Sequence, residues 1–160
     1  MQLRALVMSA AALLAGCQTA PSLETTRAEV ERATLAWVSA VDECDVAKIT
    51  ALYDPEAVLW ATTSPVIFST PAEIRQYFER TCSANLQLKV ILGPQLVRAF
   101  GDTAINSGSY TVAFVAQGRP GSIPARYTFA YRKVADKWLI VDHHSSTVPA
   151  APPPASAPQR

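Results

Sequence analysis

The stretch Lys137–Pro149 reads KWLIVDHHSSTVP. A lysine leads into four apolar residues, and these run directly into an acid, two histidines and two serines. Both histidines of the chain lie here, side by side. Side chains alternate along a strand. An unbroken strand therefore puts Trp138, Ile140, Asp142, His144 and Ser146 on one face, and Leu139, Val141, His143 and Ser145 on the other. Both faces begin apolar, which predicts a last strand covered on both sides until its polar end emerges. Such an end can form the wall of a pocket. The alternation also separates His143 from His144, so the two do not share one ligand.

The segments before this strand share its period. Leu86–Leu92 predicts a strand, Gly93-Pro94 breaks it, and Gln95–Phe100 pairs or continues beyond the break. Gly101-Asp102 is a turn, Ala104–Ala116 a long strand, Gln117–Pro124 a loop and Arg126–Val134 another strand. Further upstream the period is helical. Thr25 or Thr26 caps a helix carrying Val30, Ala33, Leu35, Trp37, Val38 and Val41 and running to about Glu43. Asp45 caps a short helix through Tyr53, which Asp54-Pro55 stops. Val58–Ala61 is a brief strand and Val66–Phe68 a shorter one. Thr70-Pro71 opens a third helix with Ile74, Tyr77, Phe78 and Cys82 inward. Helices first and antiparallel strands after them predict an α+β fold, a cone whose N-terminal helices pack on a curved, mostly antiparallel sheet around a cavity.

The chain has 160 residues, with 14 Lys+Arg against 13 Asp+Glu. That length suits one domain with appendages. Scattered, balanced charge argues against a nucleic-acid partner. No glycine-rich phosphate or dinucleotide loop occurs, and no His/Cys spacing suits zinc, so neither a cofactor nor a metal is expected. Ala5–Ala15 is an apolar run too short to span a bilayer comfortably. It ends in Leu14-Ala15-Gly16-Cys17, which resembles a bacterial lipobox. That resemblance implies a signal peptide over 1–16, lipidation of Cys17 and a tether over 17–23. It places the protein in the bacterial envelope, and Gln18 rather than aspartate gives the periplasmic face of the outer membrane. Cys44 and Cys82 then remain as a pair, either bridged, which chain-entropy reasoning values at about 4 kcal/mol, or buried separately as thiols. From Ala150 onward alanine, proline and serine dominate, which predicts a disordered tail over 150–160.

The order of elements resembles the nuclear transport factor 2-like superfamily, with its polyketide-cyclase-like (SnoaL-like) and ketosteroid isomerase branches. Within it, residues 24–149 are most similar to the calcium/calmodulin-dependent protein kinase II association domain and its stand-alone bacterial relatives. The resemblance rests on Gly118-Arg119-Pro120, on Lys137-Trp138, and on Asp142-His143-His144-Ser145-Ser146 followed by Pro149. In that last motif, His144 and Ser146 match the family's second histidine and serine, and Asp142 replaces its first histidine. Glu73–Glu79 resembles the helix that carries an arginine beside the family's pocket. The resemblance implies a homo-oligomer, dimer or larger, with a pocket lined by arginines and aromatics. It implies no kinase activity, because the chain has no kinase domain.

The candidate ligand-binding residues are Trp60, Arg75, Tyr110, Arg126, His144 and Ser146. A guanidinium grips a carboxylate with two hydrogen bonds, so Arg75 and Arg126 suggest a small anionic ligand. In a second reading, Asp142 and His144 act as acid and base in an isomerase, cyclase or dehydratase. In a third, the chain is a scaffold alone. Ser145-Ser146 beside His144 makes no nucleophile triad.

Overall fold

The computed structural model describes residues 22–83 and 87–150. The expected signal peptide over 1–16, Cys17 and residues 151–160 of the expected tail lie outside the described residues. Ser22, not Thr25 or Thr26, caps α1 (Leu23–Asp42), its hydroxyl accepting from the Thr25 N–H. The helix therefore begins at Leu23, the last residue of the stretch expected as a tether. Val30, Thr34, Trp37 and Val41 recur on one face and are buried, whereas Leu35 points to solvent. Asp45 caps α2 (Val46–Thr50) as expected.

Strand β1 (Tyr53–Trp60) begins earlier than the sequence suggests. Asp54-Pro55 does not end a helix there; it lies inside the strand. The buried Asp54 carboxylate accepts from the Glu56 N–H at 3.0 Å and from Arg132 at 2.7 Å. The two-residue β2 (Ile67–Phe68) and α3 (Pro71–Ser83) follow. At the start of α3, Glu73 accepts from the Ser69 and Thr70 N–H groups while Thr70 accepts from Glu73, the reciprocal capping box.

β3 (Gln87–Phe100) runs through Gly93-Pro94 instead of breaking. Its partners step from Tyr110 to Gly108 while β3 itself advances from Leu92 to Gln95, so the pair is absorbed as a bulge. β4 (Thr103–Ala116) and β5 (Arg119–Val134) meet at a two-residue turn, Gln117-Gly118, with φ of 51° and 74°. Such a turn matches the twist of the flanking strands, so the residues expected as a loop to Pro124 are mostly strand. β6 (Lys137–Thr147) closes the chain.

The sheet order is β2-β1-β6-β5-β4-β3, antiparallel throughout except for β1 beside β6. α1 crosses the concave face. There Glu29 accepts from Lys133 at 2.7 Å and from the Trp138 indole at 2.8 Å. At its other end Asp42 accepts from the Val90 N–H at 2.6 Å. Trp37 packs edge-on against Phe129, centroids 5.2 Å apart. The expected α+β cone is the observed architecture.

Candidate functional site

Whether His143 or His144 faces the interior depends on one residue of β6. Tyr131 pairs with Ile140, but the next residue back on β5, Ala130, pairs with Asp142. Val141 is the extra residue of a β-bulge, and the alternation changes phase across it. Trp138 and Ile140 are buried before the bulge, and His143 and Ser145 after it. Asp142 and His144 are turned to the outer face and exposed, with the half-exposed Ser146 beyond them. The expected inward set of Asp142, His144 and Ser146 is thus replaced by His143 and Ser145. The physical reason is that an unbroken strand would bury the Asp142 carboxylate on the face of Trp138 and Ile140, where a charge without a partner is strongly disfavoured.

His143 is 3 % exposed and enclosed by rings. Trp37 and Phe129 meet it edge-on at 5.3 and 4.3 Å between centroids. Its Nδ1 lies 2.8 Å from the Tyr53 hydroxyl, which accepts from the Trp37 indole N–H at 3.1 Å. An indole only donates. The arrangement that gives every one of these groups a partner has the Tyr53 hydroxyl accepting from Trp37 and sending its own proton to Nδ1, and on that basis we assign the imidazole proton to Nε2. That nitrogen is buried and has no partner among the described residues. Burial, reinforced by the charge of His144, pushes the His143 pKa down to about 3. At neutral pH it is an uncharged hydrogen-bond donor.

His143 lines a cavity of about 310 Å³ between the helices and the concave sheet. Trp37, Tyr77, Phe78, Tyr110 and Phe114 supply aromatic walls. A second polar point lies along one side. Thr62 hydrogen-bonds to Ser145, and its hydroxyl is 3.3 Å from that of Tyr110. Burial pushes the Tyr110 phenol upward, keeping it neutral. Among the described residues, no lysine, arginine, aspartate or glutamate lines this cavity. The arrangement can enclose a mainly apolar molecule beside His143 and exchange hydrogen bonds with the Thr62–Ser145–Tyr110 group.

Of the six ligand residues expected from sequence, Tyr110 lines the cavity and five do not. Arg75 lies outside the cone on α3, donating to the Thr50 hydroxyl at 3.3 Å. Arg126 is exposed on the outer sheet face, paired across strands with Ser109 and Ser146. Trp60 is 44 % exposed and lies opposite His144 on that face. Arg75 and Arg126 therefore do not converge as an anion clamp. The Asp142–His144 acid–base pair has no enclosing cavity either. Sequence reading missed His143, Ser145, Tyr53 and Thr62. The available signal was Asp142 itself, a carboxylate falling on the apolar phase of the strand. Cys44 and Cys82 are free thiols, each half-buried.

A six-stranded curved sheet holding helices over a cavity defines a protein of the nuclear transport factor 2-like class. The family model described as "Calcium/calmodulin dependent protein kinase II association domain" matches residues 26–149, and the chain belongs to that family. A crystal structure named as a candidate association domain of this kind, from Xanthomonas campestris, is 33% identical. It covers 77% of this chain and 88% of its own, with a TM-score of 0.71. A candidate dehydratase of the NTF2-like family from Streptomyces avermitilis shares the fold at 19% identity and a TM-score of 0.75, covering 81% of this chain and 100% of its own. A candidate aromatic ring hydroxylase from Novosphingobium aromaticivorans does so at 20% and 0.71, covering 78% and 90%. No curated protein matches the chain.

Proposed function

We propose that this chain is a self-associating domain that holds a small, uncharged, largely aromatic molecule in its cone cavity, with an acceptor oxygen of the ligand on His143 Nε2. The observation that carries this reading is the buried Nε2 without a partner beside an aromatic cavity. A buried donor left unpaired is costly, and a ligand carbonyl or hydroxyl would satisfy it. The anionic ligand suggested by the arginines has no counter-charge in the cavity, so a neutral ligand replaces it. Thermal-shift measurements with matched aromatic ketones and aromatic carboxylates test this. Stabilisation by the ketones, lost in His143→Asn, is the expected result; stabilisation by carboxylates alone would overturn it.

Self-association is supported by the family's name and by the outer sheet face. Leu96, Ser107, Thr128, His144 and Trp60 form one cross-strand row there. Leu96 is 61 % exposed, and Ser107, Thr128 and His144 separate it from Trp60. A second copy of the chain is the proposed cover. Sedimentation of the full chain should give a dimer or larger species, and Leu96→Glu should reduce it; a monomeric wild type refutes the proposal. Anchoring through a lipid on Cys17 at the periplasmic face of the outer membrane rests on the lipobox-like Leu14–Cys17. Labelling with a tagged fatty acid, abolished by Cys17→Ser, would support it, and unlabelled wild type would overturn it.

A further inference from the structure

The exposure of its lining shows where the cavity opens. Leu59 and His143 are buried at the inner end, whereas Leu88, Phe114 and Ile123 are half-buried and Thr63 is exposed. Phe114 pairs across strands with Leu88 on β3 and with Gly121 on β5. A Cβ added at Gly121 would lie 2.5 Å from the Phe114 ring, so that ring rests on the β5 backbone. The mouth therefore has an apolar rim running across β5, β4 and β3. The chain leaves the fold at this same rim. Thr147, the last residue of β6, pairs with Ala125, and the Val148 N–H donates to the Pro124 carbonyl at 3.1 Å. Ala150 is thus two residues beyond a contact adjoining Ile123. Residues 151–160 then read APPPASAPQR, in which Arg160 alone is charged.

We infer that residues 151–157 fold back across this rim and close the cavity, so that the chain's own tail competes with a ligand for the mouth. The place where the chain leaves, its reach and its chemistry all favour this occupant. From β6 to β3 is three strand spacings, about 14 Å. Seven residues in a polyproline helix span about 22 Å, enough to cross from Ala150 to Leu88. Pro152, Pro153 and Pro154 carry no backbone N–H. They therefore bring no donors that an apolar rim would leave unpaired. Consecutive prolines also favour the extended helix before docking, which lowers the entropy lost, and aromatic-lined surfaces take such segments. A tail without charge over residues 151–159 suits a cavity lined by no charged side chain among the described residues. The competition rests on the ligand reading of the cavity proposed above; the docking does not.

The test compares the natural tail with one carrying Pro152→Gly, Pro153→Gly and Pro154→Gly in the full chain, so that length and attachment are unchanged. Both chains carry Cys17→Ser, Cys44→Ser and Cys82→Ser, and a nitroxide on Ala155→Cys. The nitroxide should weaken the amide NMR signals of Leu88, Phe114 and Ile123 more strongly with the natural tail than with the glycine tail, and leave Lys137 unaffected. Equal weakening with the two tails would overturn the docking. So would weakening of the same signals in an isotope-labelled chain without nitroxide mixed with spin-labelled chain, because the tail of a second copy would then be the occupant. Without the nitroxide, the glycine-tailed chain should bind the neutral dye Nile red about 3–10-fold more tightly, as expected if the natural tail closes two-thirds to nine-tenths of the molecules. Equal dye affinity would overturn the competition. Binding of the dye by neither chain would count against the ligand reading of the cavity, and the NMR comparison would still decide the docking.

Discussion

In the native protein His143 takes up a proton only near pH 3, because burial and the neighbouring His144 hold its pKa at about 3 rather than 6.5. The unfolded chain protonates the same ring near pH 6.5. Between these limits the unfolded state binds one more proton than the native state, so stability falls as pH falls. The limiting slope is about 1.4 kcal/mol per pH unit, and the step from pH 7 to pH 5 removes about 2 kcal/mol. Native partners lower the pKa of Glu29 and Asp54 from ordinary values of 4.5 and 3.8, so their contributions disappear below this window. Asp142, raised by burial against the opposing charge of His144, acts in the opposite sense. Comparison with a variant cancels the contributions of all three carboxylates. In His143→Asn the side chain cannot titrate but still offers an acceptor to the Tyr53 hydroxyl. Urea unfolding followed by tryptophan fluorescence at pH 7 and pH 5 should show wild type losing about 2 kcal/mol more than the variant. Equal losses would mean that the imidazole is not held neutral in the native cavity.

The remaining predictions concern hydrogen bonds and packing across the cone. Tyr53→Phe leaves both the Trp37 indole N–H and His143 Nδ1 unpaired, and should cost about 2–4 kcal/mol by urea unfolding. Glu29→Ala removes the acceptor shared by Lys133 and Trp138; a loss of about 1–2 kcal/mol is expected because the site is partly exposed. Gly108→Ala places a Cβ 2.7 Å from the Pro94 carbonyl and 2.9 Å from the Tyr127 hydroxyl, which should destabilise by about 1–3 kcal/mol in the same assay. His144→Ala, on the exposed outer face, should alter monomer stability by no more than about 0.5 kcal/mol and leave ligand-induced thermal shifts unchanged.

The fold was legible because its signals are local. Val30, Trp37 and Val41 recur at helical spacing, Thr70-Pro71 marks a helix start, and the long strands alternate. Where the reading failed, pairing across strands outweighed the local signal. Gly93-Pro94 looks like a break, yet the ladder with β4 continues on either side and absorbs the extra residue as a bulge. Asp54-Pro55 looks like a helix stop. Its aspartate is held in the strand by Arg132, 78 residues away in sequence, and no window of local sequence contains that partner. Gly118 was visible as a turn residue, but Gln117 also takes a positive φ, and the tight turn it permits turns an expected loop into paired strand.

The site was less legible than the fold because a period of two carries no memory of an insertion. One extra residue at Val141 exchanges the faces of every residue after it, so recognising the HHSS segment as important did not reveal which of its side chains point inward. Composition supplied the correction only indirectly. If β6 continued unbroken, Asp142 would enter a wall made by Phe129, Tyr131 and Ile140, all buried. With the bulge, the carboxylate goes outward and a neutral imidazole takes the interior place. The rings of Trp37 and Phe129 then exclude water from His143, while Tyr53 fixes the assigned tautomer through the ring nitrogen facing away from the vacant donor. The bulge therefore changes the chemistry of the cavity as well as the strand. It puts an uncharged imidazole where unbroken alternation would put a carboxylate, so the cavity wall carries His143 and Ser145 in place of Asp142 and His144.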